Sequence, residues 1–218
     1  MFNIILIGSQ GSGKGTQAKM IVEKLGVSHI STGELLRAEV KRGTKKGLKI
    51  NEYISKGNLI PDEIMIGILK ERLSKTDCKK GFILDGYPRN LRQATLLSTI
   101  LDDPSKKIDY VLVINIPRDV AVKRIEGRFS CKKCGAMYNK YFSDTKKDNI
   151  CDVCASSDFS YREDDLDIGA INKRLDIYKE TTTPLIEFYN KKGLIYFIDG
   201  AKDIESVGSD IRKVLGVY

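Results

Sequence analysis

The stretch "GSQGSGKGT", Gly8 to Thr16, carries the first recognisable chemistry. It fits G-x-x-x-x-G-K, follows an apolar β-branched run and opens a segment of helical period, the context in which such a loop holds phosphate. The glycines let backbone N–H groups converge on phosphate oxygens, aided by a helix N-terminus. Gly11, Ser12, Gly13, Lys14, Gly15 and Thr16 form the expected cradle, with Lys14 bridging the β- and γ-phosphates of a nucleotide. Gly15 stands where many such loops carry Ser or Thr, and Thr16 follows, so the usual hydroxyl ligand to Mg²⁺ is moved or removed.

A second chemical stretch is "GFILDGYPR", residues 81–89. Apolar residues ending in Asp85 have the form of a strand whose carboxylate holds Mg²⁺ through water. Gly86 allows close ligand approach, Tyr87 and Pro88 shape a stiff turn, and Arg89 adds a fixed cation. The third stretch holds four of the five cysteines, Cys131, Cys134, Cys151 and Cys154, spaced C-x2-C-x16-C-x2-C. Four thiolates fill a tetrahedral coordination sphere, so the metal they imply is structural, zinc by first choice and iron as the alternative. Gly135 suits a tight knuckle after the first pair, while Ala155 follows the second. Cys78 reads as a free thiol without a role, and His29, the only histidine, as a structural residue.

Composition is that of a globular protein, 41% apolar and 30% charged. No apolar run is long enough to span a bilayer, and "MFNIILIG" lacks the basic leader and cleavage site of a signal peptide. The expectation is a cytoplasmic protein without membrane contact, a setting that disfavours disulfides. The net charge of +8 suits anionic partners, although scattered lysines mostly describe a solvated basic surface. A zinc-ribbon nucleic-acid binder is one rival reading, with Lys132, Lys133, Lys140, Tyr138, Tyr141 and Phe142 as its basic, aromatic face. The nearby Asp144, Asp148, Asp152 and Asp158 offset that charge and count against it.

These residues need a scaffold. Apolar runs at Phe2–Ile7, Phe82–Leu84, Tyr110–Ile116 and Leu194–Ile198, with a short one near Val27–Ile30, read as parallel strands buried on both faces. Helical periods alternate with them over Lys14–Leu25, Glu34–Arg42, Asp62–Ser74, Asn90–Leu101, Asp119–Ile125, about Ile171–Tyr189, and Ile204–Leu215. The alternation predicts an α/β fold, a five-stranded parallel sheet flanked by helices. Two stretches break it: residues 31–60, with helical segments only, and 128–165, rich in Cys, Asp, Ser, Lys and aromatics. Both read as insertions on a core of residues 1–30, 61–127 and 166–218.

The pieces in order, "GKGTQ" (13–17), "STGELLR" (31–37), "LIPDEI" (59–64), "GFILDGYPR" with Gln93, "KRIEGR" (123–128), "YREDD" (161–165), "KRL" (173–175) and "DGAK" (199–202), resemble the adenylate kinase family, long form with a zinc-bearing lid. The match spans nearly the whole chain. The resemblance implies the P-loop nucleoside monophosphate kinase fold, with 31–60 as a helical AMP-binding insertion and 128–165 as a metal-binding lid held by the four cysteines. It implies ATP, AMP and ADP as substrates, Mg²⁺ with ATP, and a monomer that binds no nucleic acid. Thr32, Arg37, the backbone of Asn58, Leu59 and Ile60, the Gly86–Arg89 turn and Gln93 would hold AMP, with Gln93 reading the adenine edge. Arg124 would cover the adenine of ATP, and Met137, Tyr138 and the Lys202 backbone would hold its base or ribose. Lys14, Arg89, Arg128, Arg162 and Arg174 would converge on the phosphates as the catalytic set, Arg162 and Arg174 also serving AMP. Asp164 and Asp165 would orient the lid arginines, and Gly127 and the Asp165 region would be hinges.

Two departures from the family pattern stand out. The run between Asp165 and Arg174 is one residue longer than usual and carries Gly169, and Asn139 follows Tyr138 where members often have His. Other nucleoside monophosphate kinases, acting as GTP:AMP or UMP/CMP enzymes, are rivals within the class. The long cysteine-bearing lid argues against the UMP/CMP enzymes and leaves a GTP-using form as the open alternative.

Overall fold

The computed structural model describes residues 1–101 and 106–217. Five strands, β1 (Phe2–Ile7), β2 (Ser28–Ser31), β3 (Gly81–Asp85), β4 (Tyr110–Asn115) and β8 (Ile195–Asp199), form a sheet of order β2-β3-β1-β4-β8. Every pairing is parallel. Alternation within β1 divides the core. Ile5 and Ile7 face a cluster shared with α4 (Asp62–Leu73), α5 (Leu91–Ile100) and α7 (Ile168–Asn190). Ile4 and Leu6 face α1 (Lys14–Leu25) and α8 (Ile204–Leu215). Helices on both faces explain why the strands are continuously apolar.

The helix starts follow side-chain caps. The Glu34 N–H donates to Ser31 Oγ, so α2 (Thr32–Lys41) begins two residues before the start expected at Glu34. The Gly47 N–H donates to Thr44 Oγ1 and opens α3 (Lys45–Ser55). Asn90 caps α5 in the same way through the Gln93 N–H. The Gly169 N–H donates to Asp167 Oδ1, so α7 starts at Ile168 rather than near Ile171. Gly169 therefore lies in the first turn of the helix, outside its interior, where glycine costs most.

α6 (Arg118–Glu126) leads into a second, antiparallel sheet of β5 (Arg128–Cys131), β6 (Met137–Asn139) and β7 (Phe159–Ser160), in the order β6-β5-β7. Its core is small: Phe129, Tyr138 and Phe159 with the buried Cys131 and Cys151. The rings of Phe129 and Tyr138 stack with centroids 5.5 Å apart, and Phe159 meets Phe129 edge-on at 5.3 Å. At the junction, a Cβ placed on Gly127 would lie 2.5 Å from Asn139 Oδ1 and 2.7 Å from Tyr141 Cδ2. Only glycine lets β6 approach the end of α6 this closely. Asn139 Nδ2 also donates to the Arg124 carbonyl at 2.7 Å, tying the small sheet to α6.

Candidate functional site

A cavity of about 1060 Å³ opens at the carboxyl ends of β1 and β3, where parallel α/β sheets bind ligands. All the nucleotide-site residues expected from the sequence line it, drawn from the loop after β1 and the start of α1, from α2, the segment between α3 and α4, the turn after β3, α5, α6, β5, β6, the segment between β7 and α7, α7 itself and the turn after β8. The four clustered cysteines lie apart, Cys131 at the end of β5 and the other three in loops beside the small sheet.

The glycine-rich loop is built for an anion. Gly13 precedes α1 in the left-handed region (φ 90°) and no side chain caps the helix, leaving its first-turn N–H groups open to a phosphate. Gly11 also has positive φ, and a Cβ there would sit 2.8 Å from the Ala121 carbonyl oxygen. Lys14 Nζ donates to the Gly8 and Ser9 carbonyls at 2.7 and 2.8 Å, with Ser12 Oγ more distant at 3.4 Å. Burial lowers the Lys14 pKa to about 8; Asp85 opposes the shift, while Arg89, Arg128 and Arg174 add to it.

Asp85 ends β3 beside this loop. Burial alone would raise its pKa, but the His29 contact, Lys14 and Arg89 outweigh burial and hold the carboxyl below its usual value. His29 Nε2 lies 3.4 Å from Asp85 Oδ2, a role in the site that sequence alone did not disclose. A Cβ on Gly15 would approach Asp85 Oδ2 to 3.6 Å, so glycine keeps the space beside the carboxylate open. One hard carboxylate next to a phosphate cradle fits Mg²⁺, which keeps several waters and relies on few protein ligands.

Across the cavity the cations divide into two groups. Arg128 donates through Nε and Nη2 to Asp165 Oδ2, and Arg174 Nη1 reaches Asp165 Oδ1 at 3.1 Å and Asp164 Oδ2 at 2.9 Å. Among the described residues, no carboxylate forms an ion pair with Arg37, Arg89 or Arg162. Burial depresses all three pKa values, and Arg162, repelled also by Arg128 and Arg37, falls to about 10. Half-buried cations without ion-pair partners, facing an open cavity, make a setting that favours an anion.

On the α2 side, Thr32 Oγ1 donates toward the Asp85 and Gly86 carbonyls at 3.2 and 3.0 Å. Arg89 Nε donates to the Gly86 carbonyl at 2.9 Å. The Gln93 amide is locked: its Oε1 accepts the Arg89 N–H at 2.7 Å, and its Nε2 donates to Asp62 Oδ1 at 2.8 Å. Asp62, legible in sequence only as a first-turn helix acid, is thus a site residue that pattern reading missed. On the opposite side, Arg124 Nη1 donates to the Gly200 carbonyl and its guanidinium lies 5.4 Å from the Phe142 ring centroid. Met137 and Lys202 also line the cavity, and the Lys202 ammonium donates to Asp210.

Tyr138 departs from the expectation. The residue borders the cavity, but its hydroxyl lies 3.3 Å from Cys151 Sγ. The four cysteine sulfurs lie within 4.8 Å of one another, with Cys131–Cys154 and Cys134–Cys151 each 3.5 Å apart. Bonds of ~2.3 Å to a tetrahedral zinc would set sulfurs ~3.8 Å apart, so the cluster fits that ion. The hydrogen bond from Tyr138 lowers the Cys151 pKa to about 6, and backbone N–H groups led by that of Cys134 lower Cys131.

Comparison with known proteins agrees with this geometry. The family model described as adenylate kinase matches residues 6–194. The chain is 51% identical over 216 residues to an adenylate kinase of Methanosarcina mazei, covering 99% of both. It is 48% identical to one of Archaeoglobus fulgidus over 98% of this chain and 97% of that one. Against one of a Geobacillus species the identity is 47%, with 98% of each covered. The chain belongs to the adenylate kinase family.

Proposed function

We propose that this chain performs the reaction its family membership implies, reversible Mg²⁺-dependent phosphoryl transfer in which ATP and AMP give two ADP. The observation that carries the reading is one cavity bordered by the phosphate loop, the Thr32–Arg37 helix and cations from six separate segments: Lys14, Arg37, Arg89, Arg128, Arg162 and Arg174. Phosphoryl transfer asks little covalent chemistry of a protein; it needs alignment and charge stabilisation. Alignment of two bound nucleotides can supply ~7–11 kcal/mol of the barrier. The arginines supply the electrostatic part, their planar forks meeting phosphate oxygens in pairs. The attacking AMP phosphate oxygen is already anionic, so no residue is needed to take a proton from it.

In this reading the helix α1 N-terminus and Lys14 hold the ATP phosphates, and Arg124 with Met137 borders its base. Thr32, Arg37, the Asn58–Ile60 backbone and the Gly86–Arg89 turn hold AMP. Asp85 would hold Mg²⁺ through water, and the ion would neutralise charge on the ATP phosphates. The cysteines would hold zinc as a structural ion. Residues 128–165 act as a lid that closes over both nucleotides and keeps the phosphoryl group from water. Gly127 and the Asp165 region serve as its hinges.

The reading takes the chain as a cytoplasmic monomer that binds no nucleic acid. In support, one chain furnishes every group named above, and no helix among the described residues is long and apolar enough to cross a membrane. Lys132 pairs with Asp158 at 2.8 Å and Tyr138 is buried, which removes two groups from a basic, aromatic nucleic-acid face. The test is a coupled assay offering ATP with AMP, UMP, CMP or GMP in turn, with bound metal measured on the same sample. Strong activity with AMP and stoichiometric zinc is expected. Activity with UMP but not AMP would sink the reading.

A further inference from the structure

Tyr138 sits where two parts of the molecule meet, on the short strand β6 between the cavity and the cysteine cluster. Its hydroxyl is enclosed, the residue being 8% exposed and Cys151 2% exposed. The Asp152 N–H donates to Tyr138 Oη at 2.8 Å. That contact has only one possible direction, because a backbone N–H cannot accept. Cys151 Sγ stands 3.3 Å from the same oxygen. A metal ligand must be a thiolate, which has no proton to give. The phenol proton is therefore the one available to join oxygen and sulfur, and the chain of donation runs from Asp152 N–H to Tyr138 Oη to Cys151 Sγ.

We infer that Tyr138 is an outer-sphere partner of the lid metal, its hydroxyl orienting the Cys151 sulfur by a hydrogen bond, and not a hydrogen-bonding ligand of the nucleotide. The inference rests on the reading that the four cysteines hold a metal. Such partners fix ligand orientation and tune the bound ion, and losing one typically costs 10–100-fold in metal affinity. The ring has a separate function: stacked on Phe129 and edge-on to Phe159 at 5.9 Å, it supplies part of the lid's small core. The same residue thus joins the ion to the strand that borders the nucleotide cavity.

The experiment uses the full-length chain loaded with zinc, compared with Tyr138→Phe, which keeps the ring. Competition with a chromogenic chelator is expected to show zinc held at least about tenfold more weakly by the variant. With zinc in excess, its KM for ATP should stay within about twofold of the parent's. In the cobalt-substituted proteins, the sulfur-to-metal charge-transfer band should move to longer wavelength in the variant, because an unbonded thiolate gives up its electron more readily. Equal melting temperatures of the zinc-free parent and variant establish that ring packing is intact. Unchanged zinc affinity, or a raised KM for ATP at saturating zinc, overturns the inference. If the parent itself binds no zinc, the metal reading falls and takes this inference with it; a parent that binds and a variant that binds equally well overturn the inference alone.

Discussion

The cavity strains the charge state of Lys14, where burial and three arginines bring the pKa down to about 8. The sign of the consequence follows directly. The protonated ammonium attracts phosphate, so the free enzyme should lose kcat/KM for ATP as pH rises through about 8, with AMP saturating. This ratio reports the free enzyme rather than the complex. A flat profile between about pH 7 and 10 would remove Lys14 from phosphate binding. Lys14→Met should lower kcat/KM by about 10²–10³, the usual effect of losing one charge-stabilising donor. Gln93 raises a question of specificity instead. The Arg89 N–H and Asp62 lock its amide with Oε1 and Nε2 in fixed places, so it can accept from one base position and donate to another, and cannot swap them. Adenine presents a donor at N6 and an acceptor at N1, whereas guanine presents the reverse at its O6 and N1. Asp62→Asn weakens the hold on Nε2 and leaves the Arg89 N–H as the main lock on Oε1. It should lower the AMP:GMP ratio of kcat/KM by about tenfold, within the ~1–3 kcal/mol a bidentate base contact carries. An unchanged ratio would show that the lock plays no part in selection.

The elements differ in how they are held together, and so in how far the sequence discloses them. The large sheet is built of strands apolar on both faces, and that pattern is local, so all five strands are visible in the sequence. The phosphate loop, Asp85 and the four cysteines are legible for the same reason, because each depends on short fixed spacing. Helix starts shift by a few residues where Ser31 and Asp167 cap earlier than apolar periodicity begins. What no local pattern contains is direction across the fold. His29 reaching Asp85, Asp62 reaching Gln93 and the Tyr138 hydroxyl facing sulfur each join segments brought together only by folding. The lid also lacks the apolar mass of the sheet. With three aromatic rings at its centre it relies on cross-linking, and structural zinc can contribute ~10–16 kcal/mol to an isolated module, an upper guide for one attached to a folded core. Cys131→Ser should therefore lower the melting temperature while largely sparing turnover at low temperature, and chelation should do the same to the parent. A variant that melts like the parent would show that the cysteines hold nothing the lid needs.

At the scale of the whole molecule, one buried carboxylate connects the lid to the sheet domain. Asp165, 5% exposed, receives Arg128 from the first strand of the lid and Arg174 from α7, so both borders of the insertion and the long helix meet at it. With Asp164 it is the counter-charge for two of the cavity's cations, while Arg37, Arg89 and Arg162 line the cavity without ion-pair partners among the described residues. In the proposed reading, phosphates entering the cavity would supply negative charge to all five arginines. Protein carboxylate and substrate phosphate would then have overlapping roles, one before binding and the other after it. Asp165→Asn leaves Arg128 without its ion-pair partner and Arg174 with Asp164 alone. Breaking a buried pair from one side costs ~3–5 kcal/mol, so the variant should melt well below the parent when no nucleotide is present. Saturating ADP with Mg²⁺ stabilises either protein by mass action, and in the variant it also supplies charge to Arg128 and Arg174. The gap in melting temperature between variant and parent should then narrow as ADP is added. If it stays constant or widens, Asp165 is a structural residue alone, and the arginines do not pass from carboxylate to phosphate when the lid closes.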